Sequence, residues 1–156
     1  MEAILNTIWI EQKIEKGNRT YHQGTLYGKS IVLVFSRWGK VAAAATTTQL
    51  ICDFNPTEII FTGVAGGIKP YVRIGDVVLG NRLYQHDVDA RPFFNLFEIP
   101  ILRKQYFKTS LRDKLIASTH SFLQNFSNFI PENHMQLFDI QSPEVYIGDI
   151  ASGDSF

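Results

Sequence analysis

The chain contains a single cysteine, Cys52, and therefore no intrachain disulfide, which fits a reducing compartment and a cytoplasmic location. It has no surplus charge of either sign, since fifteen Lys and Arg balance fifteen Asp and Glu. A net charge of zero argues against binding nucleic acid or a membrane surface through bulk electrostatics. Long hydrophobic runs are missing too. The longest are five residues, Ile31 to Phe35 among them, against the roughly 20 needed to span a bilayer. The opening residues lack the basic, apolar, small-residue order of a secretory signal, because Glu2, Asn6 and Glu11 interrupt them. Internal repeats and low-complexity tracts are absent, and no boundary divides residues 1–156, which read as one domain.

What is present is a core-forming composition. Apolar residues make up 45% of the 156 positions and charged ones 19%, far from the signature of a disordered chain. The opening stripe of Ile4, Leu5, Ile8 and Trp9 has helical spacing, and the expectation is a helix over residues 1–14. Lys16-Gly17-Asn18-Arg19 is a turn. Thr20 to Tyr27 and Ser30 to Ser36 are β-rich and flank the tight Tyr27-Gly28-Lys29 connection, which predicts a β-hairpin. The alanine-rich stretch Val41 to Cys52 reads as a helix that Asn55-Pro56 ends.

Glu58-Ile59-Ile60-Phe61-Thr62 is a short apolar run of the kind buried in a parallel strand, and it leads into Gly63-Val64-Ala65-Gly66-Gly67. Gly75 to Gly80 predicts a strand continuing toward Tyr84-Gln85-His86-Asp87. Residues 90–108 form an irregular excursion, Ser110 to Phe126 a helix with a Ser110/Asp113 capping box, and Glu144 to Ala151 a closing strand. Strands alternating with helices imply an α/β fold with a mixed or mainly parallel sheet.

The strongest chemical signal is a strand followed by Gly63-x-x-Gly66-Gly67. In open α/β sheets ligands bind beyond the carboxyl ends of strands, and glycines there let the backbone approach a flat or anionic ligand. The bland alternative is a turn needing positive φ. The pattern is neither a dinucleotide fingerprint nor a Walker loop. His86-Asp87-x-Asp89 matches no standard metal spacing and reads as a polar loop or subunit contact; no metal or cofactor is expected. His22, His120 and His134 are isolated, Cys52 reads as packing, and the run Arg103, Lys104, Lys108, Arg112, Lys114 reads as a solvated helix entrance.

Taken in order, Phe35-Ser36-Arg37-Trp38-Gly39-Lys40-Val41-Ala42-Ala43-Ala44, Thr62 to Gly67, Ile74-Gly75-Asp76-Val77-Val78, Tyr84 to Asp89 and Ser152-Gly153-Asp154-Ser155-Phe156 resemble the 5′-methylthioadenosine/S-adenosylhomocysteine nucleosidases of the purine nucleoside phosphorylase superfamily. The resemblance runs from about Tyr21 to Phe156. It implies a three-layer α/β/α fold with a mixed central sheet, incomplete in this chain, and a homodimer. It also implies hydrolysis of the N-glycosidic bond of adenine thionucleosides, as in methionine salvage and purine nucleoside catabolism. In such chemistry an acid protonates adenine N7 and a carboxylate activates water, each transfer typically worth ~10²–10⁴ in rate. By the same resemblance Gly66, Ala65 and Val64 would lie beside the ribose and base, Trp38 would line the alkylthio side, and Phe156 would pack against adenine. Trp38 would favour a short alkylthio group.

Two departures stand out. Val64 occupies a place where many relatives carry a small hydroxyl residue, which removes a hydrogen bond near the nucleophile. Phe61 stands where related phosphorylases place a phosphate-binding arginine, which favours water as the nucleophile, since an apolar ring makes no charge-assisted contact. The resemblance also implies that the family's water-activating glutamate falls before Met1, and that its Met-Glu pair and acid aspartate follow Phe156. Neither Asp149 nor Asp154 is that acid. No catalytic residue is therefore assigned within the chain, and the polypeptide alone is expected to be an inactive fragment, truncated at both ends. Alternatives are a nucleoside phosphorylase of the same superfamily, a non-catalytic nucleoside-binding or interaction protein, and a broken gene product that aggregates.

Overall fold

The structure, a computed structural model, describes residues 2–111 and 113–154. It falls into two compact units, residues 1–61 and 62–156.

In the first unit, helix α1 (Glu2–Leu5) gives way to an antiparallel sheet of β1 (Trp9–Lys16), β2 (Arg19–Leu26) and β3 (Lys29–Val34), in that spatial order. The helix expected over residues 1–14 thus lasts four residues and Trp9 onward is a strand. The stripe of Ile4, Leu5, Ile8 and Trp9 supports a single helical turn, and from Trp9 onward the backbone is held by its pairing with β2. A register shift between Ile10 and Gln12 adds one residue to β1 opposite β2. Opposite that shift, a Cβ on Gly24 would run into the carbonyl oxygen of Trp9 and lie 3.0 Å from the Ile10 Cα, so only glycine fits.

Both connections of this sheet are two-residue turns with positive φ at each position: Gly17 and Asn18 at +54° and +58°, Tyr27 and Gly28 at +47° and +74°. That is the turn whose twist matches paired strands, and the expected hairpin over residues 20–36 forms as β2 and β3.

Helix α2 (Lys40–Phe54) follows where the alanines predicted it, and Asn55 ends it in the left-handed conformation, its N–H donating to the Ile51 carbonyl. Tyr21, 1% exposed, stacks on Phe54 with ring centroids 5.5 Å apart, joining sheet and helix. Lys16 Nζ reaches Asp53 Oδ2 at 2.8 Å, and Arg19 Nη2 donates to the Ala42 carbonyl at 3.3 Å.

The apolar run Glu58–Thr62 straddles the boundary between the units and is not a strand. It belongs to neither sheet, and Ile59, Ile60 and Phe61 are 48%, 73% and 78% exposed. A strand is made by a neighbour that shares its backbone hydrogen bonds, and β-propensity alone does not supply one.

The second unit is built on a mixed sheet with β4 (Val77–Gln85) in the centre, β6 (Val145–Ser152) parallel on one side and β5 (Tyr106–Lys108) antiparallel on the other. Of the irregular excursion expected over 90–108, residues 90–105 are irregular, with turns and one isolated bridge, Ile99 to Lys104, but Tyr106–Lys108 form β5, held by pairing with β4. Helix α3 (Asp113–Gln124) crosses back from β5 and packs Leu123, 8% exposed, into the unit. Leu111 lies outside the helix, so Ser110 does not cap it, and Arg112 lies outside the described residues. A short helix α4 (Glu132–Leu137) precedes β6. Among the described residues no helix is long and apolar enough to cross a membrane.

Candidate functional site

Parallel strands β4 and β6 run side by side from Val77 opposite Val145 to Gln85 opposite Ser152. Side chains crowd the paired glycines of these strands, since a Cβ on Gly80 would lie 3.1 Å from Ile150 Cδ1 and one on Gly148 3.3 Å from Val78 Cγ1. Both amino ends are tied by one carboxylate. Asp76 Oδ2 accepts the Arg73 N–H and its Oδ1 the Glu144 N–H, both at 2.8 Å, while the Val77 N–H donates to the Glu144 carbonyl at 2.9 Å. Gly75, at φ +99°, turns the chain into β4 where Ile140 leaves no room for a side chain.

The carboxyl ends are tied in the same manner. The His86 N–H donates to the Ser152 carbonyl at 3.0 Å, and Asp87 Oδ2 accepts the Asp154 N–H at 2.8 Å. The imidazole of His86 lies against Gly153, where an added Cβ would fall onto Nε2 and sit 2.6 Å from Cε1. The polar stretch His86-Asp87-x-Asp89 is therefore engaged within its own chain. Sequence reasoning missed this, since its partners stand some 67 residues away. Asp89 grips its neighbour Arg91 through two side-chain hydrogen bonds of 2.9 and 2.6 Å and one from the Arg91 N–H. Those bonds to Arg91 hold the Asp89 carboxyl down at about 2.

On the sheet face, Arg82 forms a two-pronged pair with Asp149, Nε to Oδ1 at 2.9 Å and Nη2 to Oδ2 at 2.6 Å, beside the Tyr84 and Tyr106 rings. The hydrogen bonds to Asp149 hold the guanidinium protonated above its usual range. Asp149 is thus committed to an ion pair in the middle of β6. Among the described residues no group of three or more His, Cys, Asp or Glu could hold a metal ion.

The residues singled out from sequence are distributed as follows. Val64, Ala65 and Gly66 form one open extended stretch of the second unit, all exposed, with nothing within 4 Å of a Cβ placed on Gly66. Gly67, by contrast, packs against Val72, whose carbonyl would lie 3.1 Å from an added Cβ. Trp38 belongs to the first unit, 89% exposed in the connection between β3 and α2. That connection is shaped by Arg37 and Gly39 at positive φ and by Thr46, whose buried hydroxyl is 3.1 Å from the Ser36 carbonyl. Phe156 lies outside the described residues, as does Ser155.

Known proteins match this chain along its length. It is 34% identical over 118 residues to a 5′-methylthioadenosine/S-adenosylhomocysteine nucleosidase of Pseudoalteromonas translucida, covering 75% of this chain and 49% of the relative. It is 30% identical over 145 residues to an aminodeoxyfutalosine nucleosidase of Helicobacter pylori, covering 93% and 56%. The chain spans about half the length of these curated relatives. Among solved structures it superposes on a Colwellia psychrerythraea methylthioadenosine/S-adenosylhomocysteine nucleosidase in complex with adenine. There the TM-score is 0.78 and the identity 30%, over 99% of this chain and 58% of that one. The fold is accordingly the nucleoside phosphorylase-like α/β fold with a mixed sheet. The model of the Phosphorylase superfamily matches residues 1–156 throughout, and the chain belongs to that superfamily.

Proposed function

We propose that this chain carries the glycine side of a nucleoside site in an enzyme that hydrolyses the N-glycosidic bond of adenine nucleosides. The observation that carries the reading is the open Val64-Ala65-Gly66 stretch, exposed backbone in the same mixed-sheet unit that aligns with a nucleosidase holding adenine. In this reading the stretch lies along the ribose and base, Trp38 faces the 5′ substituent and Phe156 packs against adenine. Stacking of a base on an aromatic ring is worth roughly 1–3 kcal/mol in nucleic-acid systems. Phe61 supports water over phosphate as nucleophile, because its ring offers no positive charge.

The substrate class is a 5′-modified adenine nucleoside, either a 5′-thioadenosine such as methylthioadenosine, which would place the enzyme in methionine salvage, or aminodeoxyfutalosine. The Helicobacter relative supports keeping the second in view. The domain reading of residues 1–156 as one partial nucleoside phosphorylase-like domain is supported by the family match over the same residues. Four carboxylates of the second unit hold other posts: Asp76 and Asp87 accept backbone N–H groups, and Asp89 and Asp149 pair with arginines. The working enzyme is expected to be a cytoplasmic homodimer.

The test is adenine release by protein isolated from its source cells, with its intact mass measured on the same sample. Methylthioadenosine, S-adenosylhomocysteine and aminodeoxyfutalosine are supplied in phosphate-free buffer. Adenine release from at least one of them is expected. Adenine binding without release would favour the non-catalytic binding module.

A further inference from the structure

We propose that Asp87, together with the backbone and ring of His86, is a positioning latch that sets the turn leaving β6 at residues 152–154. Three observations converge on this turn. The Asp154 N–H donates to Asp87 Oδ2 at 2.8 Å, and the His86 N–H donates to the Ser152 carbonyl at 3.0 Å. Between them the His86 ring occupies the space over Gly153, where any side chain would fall onto its Nε2 and lie 2.6 Å from its Cε1. A side chain at this position would have to displace the His86 ring.

The arrangement repeats at the opposite end of the same strands, where Asp76 accepts the Glu144 N–H at 2.8 Å. Each aspartate follows or precedes β4 and reaches across to a backbone N–H that flanks β6. The two carboxylates thus clamp both ends of one parallel pair. Only the clamp at the carboxyl ends lies where ligands bind in an open α/β sheet. A carboxylate on a backbone N–H is a charge-assisted bond, stronger than the neutral bonds of the ladder. The latch therefore fixes the turn by which the chain leaves β6 at residues 152–154. Its consequence for ligand rests on the proposed reading of Phe156 as the residue facing adenine.

Amide hydrogen exchange and calorimetric titration with adenine, both on the full chain, test the two parts separately. Asp87→Ala should speed exchange at the Asp154 amide about tenfold, as that amide loses its charge-assisted acceptor, and weaken adenine binding by a similar factor. Asp87→Asn keeps an acceptor oxygen and should restore most of both. Asp76→Ala should speed exchange at Glu144 and leave adenine affinity within about twofold. Gly153→Ala expels the His86 ring and should loosen the turn with Asp87 intact, and His86→Ala in the same chain should relieve it. This pair decides the matter should Asp87→Ala fail to fold. The latch is overturned if neither Asp87→Ala nor Gly153→Ala changes exchange at 152–154, or if Asp87→Asn behaves as Asp87→Ala. Altered exchange in a chain whose unsubstituted form binds no adenine would sustain the latch and count against the adenine-site reading.

Discussion

Thr46 holds the connection that carries Trp38, and replacing it separates a hydrogen bond from packing. Thr46 is 3% exposed on the inner side of α2, with Oγ1 2.7 Å from the Ala42 carbonyl and 3.1 Å from the Ser36 carbonyl. One hydroxyl proton can serve one acceptor at a time. The Ala42 carbonyl sits one helical turn back and also receives Arg19 Nη2 at 3.3 Å, so it is well supplied without the hydroxyl. The Ser36 carbonyl is the acceptor at stake. Thr46→Val keeps the shape and removes the donor, leaving a carbonyl short of a partner, an effect worth about 1–3 kcal/mol. Ser36 is half-buried, so water can reach it in part and the lower half of that range is expected. Urea unfolding measures the magnitude. Amide exchange at Arg37–Gly39 measures the place, and it should quicken in Thr46→Val but stay near the unsubstituted rate in Thr46→Ser, which keeps the hydroxyl. A Thr46→Val protein within about 0.5 kcal/mol of the original would refute the reasoning. So would a Thr46→Ser protein whose connection is as loose as that of Thr46→Val.

Tyr21→Ala removes a fully buried large side chain of the first unit and its stack on Phe54; a loss of about 3–5 kcal/mol in urea unfolding is expected. Gly24→Ala sets a methyl against the Trp9 carbonyl, a backbone atom that cannot swing aside, and should break the β1–β2 pairing, seen as loss of amide protection along Trp9–Lys16. The Asp89 carboxyl, held at about 2 by Arg91, lies below its unfolded value. Its contribution is therefore complete above the ordinary carboxylate range and is lost as pH falls through about 2. In an NMR titration Arg91→Gln should move that midpoint back up toward the usual range, and an unchanged midpoint would mean that Arg91 is not the cause. On the proposed reading of Trp38, Trp38→Ala should raise the tolerance for bulky 5′ substituents, read as the ratio of kcat/KM for S-adenosylhomocysteine over methylthioadenosine.

Elements whose cues are local could be read from sequence. The β2–β3 hairpin announced itself through Tyr27-Gly28, two residues that both take positive φ, and α2 through its alanines and the Asn55-Pro56 stop. Strands β4 and β6 carry β-branched residues bounded by turn residues, and both formed where expected. β1 was misread because the stripe of Ile4, Leu5, Ile8 and Trp9 has helical spacing, whereas the strand from Trp9 is made by its pairing with β2, which follows it in the chain. Ile59 to Phe61 has strand composition, yet pairing depends on what lies alongside, which no single segment encodes. The same limit applies at the site. Val64-Ala65-Gly66 was legible as one contiguous glycine stretch. The bonds from Asp76 to Glu144 and from Asp87 to Asp154 link residues 68 and 67 positions apart, and they become visible only when β4 and β6 lie in parallel.

The most direct test of an adenine-nucleoside hydrolase is the fate of the sugar. Protein from the source cells is given methylthioadenosine in water enriched in oxygen-18, with and without phosphate, and the sugar product is weighed by mass spectrometry. Free methylthioribose carrying the heavy oxygen at the former glycosidic carbon, formed equally well without phosphate, is the expected product. A sugar 1-phosphate, with base release that stops when phosphate is withheld, would contradict it and make the protein a phosphorylase.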